Sequence, residues 1–229
     1  MRRRHAVVLR DCLFLFLGGF FFLGCIATSH RSARTLDPGQ FSVSGSYVNA
    51  QDLEEADADA IHLIALEGRI GAARGLDLGL AHTWDITSGN DGAYSTFWGD
   101  MKVQLANKEN VIGRPAFSLG LMKGYVYHED VDLHISSLPV ILSVPMNDRV
   151  TPFVSYRLEL MSEDFIPDTF ESPRHSLILG SEFLLSDSET GGPTPKLGVS
   201  VGLLNSLAGG EGDNVLTLNA GLSLDGPSK

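Results

Sequence analysis

Several things are scarce in this chain of 229 residues, and each scarcity removes a class of protein. There are two cysteines, too few for a disulfide framework or a cysteine-built metal site. Basic residues are outnumbered, 17 Lys and Arg against 28 Asp and Glu. That balance disfavours nucleic acid as a partner, because affinity for phosphate backbones is carried by Lys and Arg. The longest apolar run, Leu13 to Leu23, has 11 residues, whereas a membrane-spanning helix needs about 20. Beyond Phe41 helical periodicity is nearly absent. No His-rich cluster, phosphate loop or EF-hand spacing occurs, and no cofactor or metal is implied.

What is present begins with the N-terminus. Met1-Arg2-Arg3-Arg4 precedes the apolar run, which closes on Phe22-Leu23-Gly24-Cys25. A basic start, a short apolar stretch and a small residue before a cut have the layout of a secretory signal. Phe22-Leu23-Gly24-Cys25 is similar to the lipobox of bacterial lipoproteins. That resemblance implies cleavage before Cys25 and lipidation on it, with palmitate among the acyl groups. Residues 1–24 are then the signal peptide. Their removal takes four Arg and one Asp and leaves 13 basic and 27 acidic residues. Residues 25–40 are polar and irregular and read as a lipidated tether. Residues 41–229 form the folded domain.

From Phe41 onward the apolar residues alternate with polar or tiny ones, the period of strands. Leu216, Leu218, Ala220, Leu222 and Leu224 oppose Thr217, Asn219, Gly221 and Ser223. Leu197, Val199, Val201 and Leu203 oppose Gly198, Ser200 and Gly202. Ten such segments fall near 41–48, 61–72, 76–86, 95–106, 115–127, 133–145, 150–162, 175–185, 195–204 and 214–224. Most are longer than the usual soluble strand and match the roughly 9–11 residues of a tilted spanning strand. The fold class is all-β: an antiparallel up-and-down barrel of about 10 strands (8–12), transmembrane.

The connections carry a charge asymmetry. With the first strand starting on the inner side, the outer loops are 49–60, 87–94, 128–132, 163–174 and 205–213. They hold 15 Asp and Glu and one basic residue, Arg174. The acidic stretch Gln51 to Asp59 reads as a solvated loop. Tyr47, Trp84, Phe97, Tyr125 and Tyr127 fall near outer strand ends, and Phe41, Phe117 and Phe153 near inner ends, as in interfacial girdles. Long strands, alternation and loops of this kind resemble small outer-membrane β-barrel proteins as a class.

The resemblance implies a lipid-anchored, porin-like barrel of a Gram-negative-type cell outer membrane, with a structural, surface-interaction or narrow-pore role. Its partners are then outer-membrane lipid and the barrel-insertion and lipoprotein-export machineries. The chain is expected to be a monomer.

The polar strand faces place Glu67, Arg69, Asp77, Asp85, Asp100, Lys102, Arg157, Glu159 and Glu182 in the lumen, where charges are tolerated when paired or wet. A structural charge network and a thin polar pathway both fit. Lys123 falls instead on a greasy face, with a register shift, a bulge or snorkelling as explanations.

Two other readings stand beside this one. In the first, the apolar faces point inward and make a soluble, periplasm-facing lipoprotein barrel around an apolar ligand, since alternation alone is symmetric. In the second, His134-Ile135-Ser136 is similar to the His-x-Ser of outer-membrane lipid A deacylases. His134 would then act as base for Ser136.

Overall fold

A computed structural model of the chain describes residues 31–53, 60–87, 95–107, 109, 111–128, 131–163, 171–186, 192–206 and 214–226. Cys25 and the acidic core of loop 49–60 lie outside them. The described elements are ten strands: β1 (Phe41–Asp52), β2 (Ile61–Ala73), β3 (Leu76–Asp85), β4 (Ser95–Ala106), β5 (Ala116–His128), β6 (Val131–Ser143), β7 (Val150–Ser162), β8 (Glu171–Leu184), β9 (Thr194–Ser206) and β10 (Val215–Asp225). Each pairs antiparallel with its neighbours in sequence. β1 closes on β10, from Ser42 opposite Asp225 to Asp52 opposite Val215. Closure leaves no edge strand, so every strand finds ladder partners on both sides.

The strands run 10 to 14 residues. The outer ends of β1 and β8 extend further than alternation indicates. Polar Asn49 to Asp52 stay in the ladder because β10 supplies partners from Val215 to Leu218. Pairing thus continues above the apolar part of the wall, where side-chain pattern no longer marks a strand.

Burial settles which face is which. On β2, Leu63, Ala65, Glu67 and Arg69 are buried, while Ile64, Leu66 and Ile70 are exposed. The same inversion recurs on β3, with Asp77 inside and Leu78 and Leu80 outside, and on β10, with Asn219 inside and Leu218 and Leu222 outside. Leu222 is 58% exposed and Leu66 51%, values that a water-facing wall would not repeat on strand after strand. This is the surface of a transmembrane barrel. The soluble, ligand-holding alternative is therefore corrected: the apolar side is outside, and the lumen holds charges instead of an apolar cavity.

The aromatics follow with one change. Tyr47, Trp84, Phe97 and Tyr127 are exposed near the outer ends and Phe41 near the inner end. Phe153 is buried in the lumen, because it shares strand parity with Ser155 and Arg157. At the inner end Phe183, half-buried on β8, stands on the outward parity instead, with Leu177 and Leu179.

Residues 31–40 also differ from expectation. They do not hang free as a tether but cross the inner mouth of the barrel. Ser32 and Ala33 are almost wholly buried. The segment ends in a turn where Gly39 donates its N–H to Gly71 at 2.8 Å and Gly71 returns one to Gln40 at 2.9 Å. Gly39 has φ +79°, a left-handed conformation that glycine adopts without strain.

Candidate functional site: the filled lumen and the outer wall

The lumen is filled in layers that follow from strand parity. At the inner mouth, side chains of several strands hold the N-terminal segment. Ser32 donates its N–H and hydroxyl to Glu182, at 2.6 and 2.9 Å. Ala33 donates its N–H to the Ser143 hydroxyl at 3.1 Å. Thr35 reaches Gln104 through its N–H and hydroxyl, and Leu36 donates to Asp77 at 2.9 Å. Lys102 Nζ donates to the carbonyls of Ser32 and Arg34, at 3.3 and 2.5 Å, and lies 3.6 Å from Asp77. Ala33 also joins an apolar cluster with Ala116, Ile141, Phe153 and Ile178.

Above this lies a charge layer. Arg31 reaches upward to Glu67 at 3.1 Å and to the hydroxyls of Ser42 and Ser44. Arg69 bridges Glu67 at 3.0 Å and Asp100 at 2.5 Å. Arg69 and Asp100 sit on strands flanking Gly79, on one rung. A Cβ at Gly79 would run into both side chains, so the glycine is what lets them meet over its backbone. Across the barrel Arg157 and Glu159 lie 3.5 Å apart, each about 2% exposed. Glu159 faces Arg174 in the β7–β8 register.

The outer half of the lumen holds two apolar clusters among buried polar side chains such as Thr83, Asp85, Thr96 and Arg174. Val48, Ala50, Leu63, Ala65, Leu204 and Val215 form one buried cluster. Ala81, Trp98, Met122, Val126, Leu133, Ile135 and Met161 form another. Trp98 lies flat over Gly124, its rung partner, where any Cβ would overlap the ring.

Among the described residues the interior voids are small. A cavity of about 250 Å³ opens at the inner mouth beside Arg34, Arg149, Glu182 and Lys196. The charge layer keeps cavities of about 30 Å³, each room for about one water.

The structure brings together nearly all of the lumen charges that sequence suggested: Glu67, Arg69 and Asp100 in one network, Asp77 with Lys102, and Arg157 with Glu159. Glu182 is apart, because it binds backbone and hydroxyl of the N-terminal segment and not a neighbouring cation. Asp85 stands at the outer end, accepting the Thr87 N–H at 2.8 Å. Arg31, Gln104 and the Lys196–Asp225 pair, 2.5 Å apart, were missed. Strand parity could have placed the last three. Nothing local marks Arg31, which reaches the network from an irregular segment.

On the outside wall, Lys123 and Ser136 share a rung. Lys123 Nζ donates to Ser136 Oγ at 3.0 Å. The β5–β6 register runs unbroken through them, so neither a bulge nor a slip accounts for the lysine. His134 and Tyr125 occupy the same face one non-adjacent rung higher, rings 5.1 Å apart. The hydroxyl that the deacylase resemblance assigns to His134 is thus hydrogen-bonded to Lys123.

No protein-family model matches the chain, and no curated protein matches it. Among solved structures it is similar to the N-terminal β-barrel domain of Pseudomonas aeruginosa OprF, at 13% identity over 81% of this chain and 98% of that one, TM-score 0.33. Neisserial surface protein A gives 12% over 81% and 95%, TM-score 0.33. The KdgM porin gives 12% over 79% and 98%, TM-score 0.40.

Proposed function

We propose that this chain is an integral outer-membrane barrel with a closed lumen, acting as a structural and surface-interaction element and not as a pore. The observation that supports this most directly is the filling of the lumen from both ends. The N-terminal segment crosses the inner mouth, and apolar clusters that include Trp98 and Leu63 occupy the outer half. Between them the charges pair with one another. Hydrated ions need a continuous polar path, and here the N-terminal segment interrupts it at the inner mouth while the apolar clusters narrow it toward the outer end.

The exposed apolar wall supports residence in a bilayer, and acidic outer loops support presentation of negative charge at the cell surface. Acylation at Cys25 would add a second attachment, since one acyl chain alone binds membranes only marginally. The protein should resist carbonate extraction, migrate anomalously on gels unless boiled, and leave planar bilayers electrically silent. Stepwise conductance from the folded protein overturns the closed-lumen reading, and full carbonate extraction overturns the membrane reading.

A further inference from the structure

Among the described residues, the apolar band of the outer wall carries one lysine, Lys123. Its height can be placed from the strand pairing. Followed once around the ring, the hydrogen-bonded rungs climb by about twelve residues, the stagger that closing ten tilted strands requires. Allowing for that climb, Lys123 lies level with the upper edge of the apolar wall. Four outward histidines, His62, His82, His134 and His175, share this upper zone, and each contacts an aromatic ring. Tyr47 stacks on His62, with its hydroxyl 2.6 Å from Nδ1, Trp84 packs edge-on to His82, and Tyr125 and Tyr156 lie against His134 and His175. Below them stand Leu80, Leu121, Leu179 and Leu222, all exposed. Amphipathic rings above and aliphatic chains below mark a boundary between headgroups and acyl chains.

At this boundary the rung through Lys123 is shallow. It runs from Gly99 through Lys123 and Ser136 to Leu160. The neighbours of the ammonium on its rung are small, glycine on one side and serine on the other, and Tyr125 and His134 pair two residues further toward the cell exterior on the same face. A lysine in the middle of a barrel's lipid face is costly, whereas near the interface the cost falls to almost nothing. There its charge can meet anionic headgroups.

We propose that Lys123 and Ser136, with Tyr125 and His134 next to them on the same face, form a binding site for the phosphate of an anionic outer-leaflet lipid. Lys123 supplies the charge and the Ser136 hydroxyl a hydrogen bond. The rings of Tyr125 and His134 hold the headgroup against the wall, and the acyl chains lie along Leu119, Leu121 and Leu138 below. The ligand is a membrane lipid and not free phosphate, because Lys123 and Ser136 stand on the outward face with Leu121 and Leu138 and not in the lumen. The site rests on the barrel being in a bilayer.

The test is native mass spectrometry of the full chain, released from micelles holding equal amounts of phosphatidic acid and phosphatidylcholine with the same acyl chains. The wild type should retain phosphatidic acid over phosphatidylcholine by about fivefold, the ratio that one basic residue near a charged lipid surface supplies. Lys123→Arg should keep the preference, and Lys123→Met should bring it to parity while still migrating as a folded barrel before boiling. Excess inorganic phosphate should not displace the lipid. Equal retention of both lipids by the wild type overturns the site, as does an undiminished preference in folded Lys123→Met or displacement by inorganic phosphate. Absence of any lipid adduct would instead count against the membrane wall itself. The wild-type comparison decides the matter even if Lys123→Met does not fold.

Discussion

Glu182 of β8 grips Ser32 through both carboxylate oxygens, one taking the backbone N–H at 2.6 Å and the other the hydroxyl at 2.9 Å. The two residues are 150 positions apart. Their contact turns the start of the chain into the floor of the barrel. Hydrogen bonds to a charged group contribute about 1.5–3 kcal/mol each, and more is lost when a buried donor is left unmet. Glu182→Ala should therefore release residues 31–36 while the wall stays closed. Backbone amides of Ser32, Ala33 and Leu36 should lose hydrogen-exchange protection, with those of β5 and β6 unchanged. Protection that survives the substitution would show that Lys102, Gln104 and Asp77 hold the segment without Glu182.

The Glu67–Arg69–Asp100 network should be far more sensitive to losing its centre than to losing all its charges. Arg69→Met strands the buried Asp100 carboxylate and leaves Glu67 to Arg31 alone, and removing one partner of a buried pair typically costs about 3–5 kcal/mol. Replacing Glu67 and Asp100 by Gln and Asn in the same chain removes the stranded Asp100 charge and the excess negative charge of the layer and should restore most of that loss. Urea unfolding in detergent or bilayers reads both. Equal destabilisation by the single and the triple variant would mean that packing and not charge holds this layer.

Much of this architecture is legible from sequence because a strand alternates with period two and a barrel wall has only two faces. Leu216 to Leu224 announce one face, and Glu67, Arg69 and Asp100 announce the other. Strand number follows from the ten alternating segments, and their up-and-down order from the acidic loops that all fall on one side. The sequence pattern cannot say which face is greasy-out, since the alternation is symmetric until burial is known. It also hides the apolar clusters in the outer half of the lumen. Leu63, Ile135 and Val215 are apolar on the inward parity, so they blur the alternation where they matter most. Residues 31–40 were legible as irregular but not as buried. Their hydrogen bonds go to side chains from distant strands, and a segment without period carries no signal of where its backbone groups find partners. Cys25 lies outside the described residues, and its acylation remains the proposal that the lipobox resemblance supports.

That proposal has a geometric consequence. Six residue steps separate Cys25 from Arg31, which is fixed to Glu67, Ser42 and Ser44. They span at most about 20 Å, less than half the reach of a tether that starts at Phe41. An acyl group on Cys25 would sit close against the barrel. Cys25→Ser should abolish palmitate labelling and shift the mature mass, yet leave the protein in the carbonate-resistant membrane fraction, because the wall alone holds it there. Loss of the variant to the soluble fraction would make the acyl group the main anchor.

Trp98 and Gly124 offer the sharpest test of the closed outer half. The indole lies over the glycine on its rung, and both are buried. Gly124→Val forces the ring to move within a filled layer, and overpacking of this kind typically costs about 1–3 kcal/mol. Trp98→Ala acts in the opposite sense and leaves a void beside Met122, Val126 and Ile135. Truncation of a buried Trp typically costs about 3–5 kcal/mol. Neither change should make the barrel conduct, because the N-terminal segment still crosses the inner mouth. Trp98→Ala combined with deletion of residues 31–36 removes material from both ends on the side of the lumen that Trp98 fills, and leaves there the paired charges, with the Leu63 and Leu204 cluster intact on the other side. If the lumen is closed by these two fillings, ion flux in planar bilayers should appear in the combined variant alone. Conductance from either single change would assign the whole barrier to one end.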